Sequence, residues 1–288
     1  MLPWLRILVL AGLIILLVGC GVRTAYNNVD WLALRWLNDQ IDLSDEQERL
    51  ARRAIERKLA WHCANELPDY IDLIEQIDRD VASGSINANT LDGYGQTISA
   101  FGRRLLDQAQ PGLIELMASL DDAQVERIIN DIESRNAELG TEQDQTTPEQ
   151  RRKDRVDDLA RNLRRLLGRL NAEQNNRLEQ WALDRQPTRA FERQRRESRD
   201  QRFIEAMAVR NDTIEFEQRM NALFQPESTH ANAAPTLAQQ ATAHNRDNLL
   251  IALADVYALA DDRQIRKLRK RLEDLAEDFQ AVSCQTQA

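Results

Sequence analysis

Four segments of this chain begin in the same way, and together they limit the fold more than any other feature. They are Leu43-Ser44-Asp45-Glu46-Gln47, Leu120-Asp121-Asp122-Ala123-Gln124, Leu170-Asn171-Ala172-Glu173-Gln174 and Ala260-Asp261-Asp262-Arg263-Gln264. The second residue of each is a preferred helix N-cap, whose side chain accepts a hydrogen bond from a first-turn amide. The glutamine three positions later can reach back to the cap's own N–H, closing a capping box, and the preceding Leu43, Leu120 or Leu170 can staple the entry of the chain. A basic and then an aliphatic residue follow the last three glutamines: Arg127-Ile128, Arg177-Leu178 and Lys267-Leu268. The intervals of 77, 50 and 90 residues are too irregular for a solenoid.

Composition extends this to the whole chain. Glycine and proline are scarce, at 10 and 7 residues, and fall between periodic segments. Helix-forming Ala, Leu, Glu, Arg and Gln dominate, so the fold class is all-α, a multi-helix bundle of nine to eleven helices. After an apolar segment from Trp31 to Leu37, helices are expected over Ser44–Leu67, Pro68–Val81, Thr90–Leu106, a short one from Pro111, and Asp121–Ala137. The polar stretch 138–150 reads as a linker, followed by a hairpin of Glu149–Leu167 and Asn171–Leu183. Thr188–Leu223 reads as one long charged helix, 225–236 as a second linker, and Leu237–Leu259 and Asp261–Val282 as closing helices. An N-terminal helical region, 29–137, and a C-terminal one, 151–288, would pack as one domain or as two close lobes.

The N-terminus carries the address. Arg6 precedes the apolar run Ile7–Val18, which is short of the roughly 20 residues a membrane span needs and so reads as a secretory signal peptide. The sequence Leu17-Val18-Gly19-Cys20 resembles the lipobox of bacterial lipoproteins. That resemblance implies removal of residues 1–19, acylation of Cys20, and a membrane partner reached through the lipid, with 20–28 as a tether. Gly21 stands where an aspartate would favour inner-membrane retention, so the implied address is the outer membrane, facing the periplasm. Trp31, Leu32, Leu34, Trp36 and Leu37 form a segment apolar nearly all round, which suits the core, or the lipid interface beside the anchor.

The two other cysteines, Cys63 and Cys284, can pair in an oxidising periplasm or stay as free thiols. A bridge would close more than 200 residues. A net charge of −9 argues against a nucleic-acid partner, which needs a basic face. His62, His230 and His244 follow no metal-ligand spacing, so no metal site and no cofactor are expected. Neither nucleophile elbow nor phosphate loop nor dinucleotide fingerprint occurs, and no catalytic residue is assigned. The acidic pairs at Asp121-Asp122 and Asp261-Asp262 suit helix N-termini, and Arg189–Arg202 reads as a solvated helix face, with anionic lipid headgroups as a lesser alternative.

The helix-start motifs resemble the Leu-Thr-x-x-Gln motif of Spy/CpxP-type periplasmic proteins, all-helical and often dimeric cradles that bind unfolded clients without ATP. Tyr26-Asn27-Asn28-Val29-Asp30-Trp31 through Trp36-Leu37 to Leu43-Ser44-Asp45-Glu46-Gln47 is similar to an uncharacterised family of bacterial lipoproteins. These resemblances imply a non-enzymatic envelope protein with envelope proteins, and a second copy of itself, as partners. The function expected is chaperone-like binding of unfolded or membrane-bound clients, with a scaffolding role in an envelope assembly as the alternative.

Overall fold

The computed structural model describes residues 22–225 and 236–284, apart from the side chains of 142–144. All regular structure among these residues is helical, in twelve helices. They are α1 (Val22–Asn27), α2 (Val29–Ile41), α3 (Asp45–Asn65), α4 (Leu67–Ser83), α5 (Ala88–Ala118) and α6 (Asp122–Gln145). The chain continues with α7 (Pro148–Leu167), α8 (Ala172–Leu183), α9 (Arg189–Ala208), α10 (Thr213–Phe224), α11 (Leu237–Ala258) and α12 (Asp262–Val282).

Two groups of four helices repeat one packing scheme. In the first, α2 packs on α3 and α6, and α3 packs on α5. In the second, α7 packs on α8 and α12, and α8 packs on α11. Each group is two helix–turn–helix hairpins, and each hairpin turns at one of the four recurrent starts. Elsewhere α12 lies along α4, α11 against α5, and α9 and α10 against α6 and α5, so the N-terminal and C-terminal regions share helix–helix interfaces. The first core joins Leu34, Ile114, Met117 and Leu120 to Phe203, Met207, Phe216 and Met220. The second gathers Ala160, Leu163, Leu167, Leu170, Leu178 and Val256.

The helix count exceeds the nine to eleven expected, for identifiable reasons. The tether expected over 20–28 is helical from Val22 and docks on α12: Val22 is buried against Leu67, Phe279 and Val282. The long helix expected over Thr188–Leu223 breaks at Val209–Asp212, where Asp212 caps α10 by accepting a hydrogen bond from Glu215 N–H. The break folds α10 back so that Phe216 and Met220 meet Phe203 and Met207, gaining burial that a straight, exposed helix would forgo.

Two expected breaks are instead helical. Residues 138–145, expected as linker, continue α6, and the chain turns only at Thr146-Thr147, where Thr147 caps α7. Pro111 lies inside α5. It removes one backbone hydrogen bond, yet Leu106, Ile114, Leu116 and Met117 are buried on either side and hold the helix through it. The next residue, Gly112, faces Ala54 so closely that a Cβ would lie 3.2 Å from the alanine Cβ, which makes this the crossing point of α3 and α5. The expected linker 225–236 falls almost entirely outside the described residues, as do Cys20 and His230.

Candidate functional site

The four glutamines of the recurrent starts are buried and meet in two pairs. In the first pair, Gln47 Nε2 donates to Gln124 Oε1 at 2.9 Å and Gln124 Nε2 donates to Gln47 Oε1 at 2.8 Å. The second N–H of each amide goes to a carbonyl of the opposite turn, Gln47 to Ser119 O and Gln124 to Asp42 O. Each Oε1 also accepts the N–H of its own cap, Ser44 or Asp121. The cap side chains in turn accept the glutamine backbone N–H groups.

Gln174 and Gln264 repeat the arrangement, with 3.0 Å between Nε2 and Oε1 in both directions. Gln264 Nε2 donates to Arg169 O, and Gln174 Nε2 donates to Val256 O. Here the symmetry is imperfect: Asn171 Nδ2, which a serine or aspartate cap lacks, takes the Leu259 carbonyl. Asn171 and Asp261 complete the two capping boxes. Leu120 and Leu170 are buried beside the pairs, and Leu43 is partly buried.

The basic residue one turn beyond each of the last three glutamines reaches the other hairpin of its group. Arg127 lies 3.4 Å from Asp42, Arg177 Nε donates to Asp255 at 2.6 Å, and Lys267 covers Gly168 near the Arg164 carbonyl. The first start has Leu50 at this position, and at the second start Arg210 binds Asp122 and the Leu120 carbonyl. Every donor and acceptor of the four amides is engaged, so these motifs offer no free group to a ligand. Their chemistry is that of a clasp.

A second polar cluster centres on one buried carboxylate. Glu66, at the joint of α3 and α4, is 1% exposed and receives a bidentate pair from Arg104 at 2.7 and 3.0 Å. Arg104 also binds Asp69 and stacks over Phe101. Burial, then the Glu66 carboxylate, holds the Tyr70 hydroxyl protonated well above its usual range. One turn before Glu66, burial lowers the pKa of His62, whose Nδ1 shares a hydrogen bond with the Tyr26 hydroxyl, 3.0 Å away. Burial also pushes Tyr26 up to about 12. Beside His62, Cys63 forms a disulfide with Cys284, with 5.3 Å between α-carbons. The bridge ties the end of α12 to α3. Charge spacing gave no signal for this cluster, because Glu66 and Arg104 are 38 residues apart.

The remaining candidates are dispersed. His244 bonds the Asp184 carbonyl, far from His62 in sequence. Among the described residues, no group of three His, Cys, Asp or Glu side chains could hold a metal ion. Asp121 and Asp261 are N-caps, whereas Asp122 pairs with Arg210. The Arg189–Arg202 segment is not simply a solvated face. Asp200 is buried, and Asn136 of α6 donates to it and accepts from Arg196. A cleft beside α5 is lined by Gly95, Gln96, Ser99, Arg103 and Arg246. No helix among the described residues is long and apolar enough to cross a membrane.

The chain belongs to the Family of unknown function (DUF6279), whose family model matches residues 39–232. The matched segment holds the Gln47–Gln124 clasp entire, but only one half of the Gln174–Gln264 clasp. No curated protein and no solved structure matches the chain at a significant level.

Proposed function

We propose that this member of the DUF6279 family is a lipoprotein anchored through Cys20 in the outer membrane, facing the periplasm, with a non-catalytic helical body that serves as a scaffold for envelope proteins. The observation that carries the scaffold reading is the pair of saturated glutamine clasps. Each joins four helices at their turns with every donor and acceptor of its two side-chain amides engaged. A client-binding cradle would instead need a contiguous apolar concavity. The large apolar side chains exposed among the described residues are Trp31, Leu32, Leu183, Ile214, Leu237 and Ile251, distributed over four helices. The anchor reading rests on Leu17-Val18-Gly19-Cys20, and the outer-membrane address on Gly21.

Two measurements test this. The mature N-terminal peptide, analysed by mass spectrometry, is expected to begin at an acylated Cys20, and Cys20→Ser is expected to accumulate with its signal peptide intact. In an aggregation assay on a thermally unfolding client, the full protein in detergent is expected to leave aggregation unchanged at several-fold excess. Suppression near stoichiometric amounts would overturn the scaffold reading in favour of a chaperone.

A further inference from the structure

We infer that the helical body sits directly on the phospholipid surface, with Trp31 and Leu32 of α2 inserted at headgroup level as a second contact beside the lipidated cysteine. This rests on the acylation of Cys20 proposed above. Two peptide units separate Cys20 from Val22, a reach of about 7 Å. Val22 is no free linker residue. It is 3% exposed, packed with Cys63, Leu67, Ile74, Phe279 and Val282, and the next residue, Arg23, is bound to Asp278 of α12 at 2.7 Å. A lipid on Cys20 therefore holds the folded body, not a string leading to it, against the membrane.

Trp31 lies nine residues beyond Val22, and only Asn28 interrupts the helices between them. At the helical rise this places it no more than about 14 Å from Val22. Trp31 and Leu32 are 55% and 43% exposed, while Leu34 and Ile41 of the same helix are buried in the core. The guanidinium of Arg35 stacks over the Trp31 ring at 5.4 Å. An exposed Trp-Leu pair flanked by arginine suits the bilayer interface, where an amphipathic ring rests at headgroup depth and the cation meets phosphate. Charge agrees. Over 22–41, Arg23 and Arg35 balance Asp30 and Asp39, so this segment is neutral in a chain of net charge −9 and meets an anionic surface with little repulsion.

The test uses the full lipidated protein reconstituted in vesicles of phosphatidylethanolamine and phosphatidylglycerol doped with acyl-brominated phosphatidylcholine, which quenches nearby tryptophans. Substantial quenching is expected in the parent and in Trp181→Phe, whose indole is buried away from α2. Trp31→Phe, which keeps an aromatic ring and so the fold, is expected to lose most of it. Equal quenching in the parent and Trp31→Phe, or none in the parent, with an acylated Cys20 by mass, would overturn the seating while leaving the anchor in place. An unmodified Cys20 would overturn both.

Discussion

Gln47 and Gln124 hold each other's side-chain amides in a closed ring, while each also donates to the turn that carries the other, at Ser119 O and Asp42 O. The two residues thus do for each other's hairpin what a capping box does for a single helix end. They satisfy turn carbonyls that the helix ends leave without an intrahelical partner. Gln174 and Gln264 do the same for the second group.

Replacing one glutamine orphans several buried partners at once. Gln174→Ala is expected to cost about 2–4 kcal/mol in urea denaturation. Gln174→Ala combined with Gln264→Ala is expected to cost less than the sum of the two, whereas Gln47→Ala with Gln264→Ala, drawn from different clasps, is expected to add. Additivity within one clasp would show that the two amides do not depend on each other.

Asp42 ends α2 with φ at 59°, the one described non-glycine residue in the left-handed region. Its backbone carbonyl is what Gln124 requires, and its side chain meets only the exposed Arg127. Asp42→Gly is therefore expected to stabilise by about 0.5–1 kcal/mol through relief of the left-handed conformation. A lower denaturation midpoint would assign the Asp42–Arg127 contact more weight than two exposed groups ordinarily carry.

The Cys63–Cys284 bridge spans a sequence separation of 221 residues. In the chain-entropy view a loop of this length stabilises by about 5 kcal/mol, an upper figure for a native bridge. The double substitution of Cys63→Ala with Cys284→Ser is expected to lower Tm markedly and to remove the mobility difference between reduced and unreduced samples on a gel. Two titratable thiols in the unreduced parent would contradict the bridge.

His62 makes stability depend on pH. Burial lowers its pKa in the fold below the ordinary 6.5, so the unfolded chain binds the proton more readily. The stabilisation is complete above pH 6.5 and is lost as pH falls below that value towards the folded pKa. Denaturation midpoints are expected to decline from pH 7.5 to 5.5, and His62→Gln is expected to flatten that decline. An unchanged slope in the variant would place the responsible proton elsewhere.

Glu66 and Arg104 should respond unequally. Arg104→Ala leaves a carboxylate buried without its partner and is expected to cost about 3 kcal/mol, whereas Glu66→Gln, which removes the charge itself, is expected to cost less. Thermal melts of the two variants at one pH separate these outcomes.

The helices and their starts are legible in the sequence because they are local. Ser44, Asp121, Asn171 and Asp261 cap helices within three residues of themselves, and scarce glycine and proline leave long periodic runs uninterrupted. What lies far apart in the chain is not legible in this way. Pairing Gln47 with Gln124, Gln174 with Gln264 and Glu66 with Arg104 depends on which helix faces lie together, and no spacing rule encodes that. Burial also overrode local signals. It carried α5 through Pro111, broke the charged run at Val209–Asp212 so that Phe216 and Met220 could enter the core, and turned the stretch after Cys20 into a docked helix. The sequence by itself determined an all-helical chain with four matched helix starts. Only the tertiary structure decided that those starts close on one another in pairs, because a buried amide must find partners wherever packing has placed them.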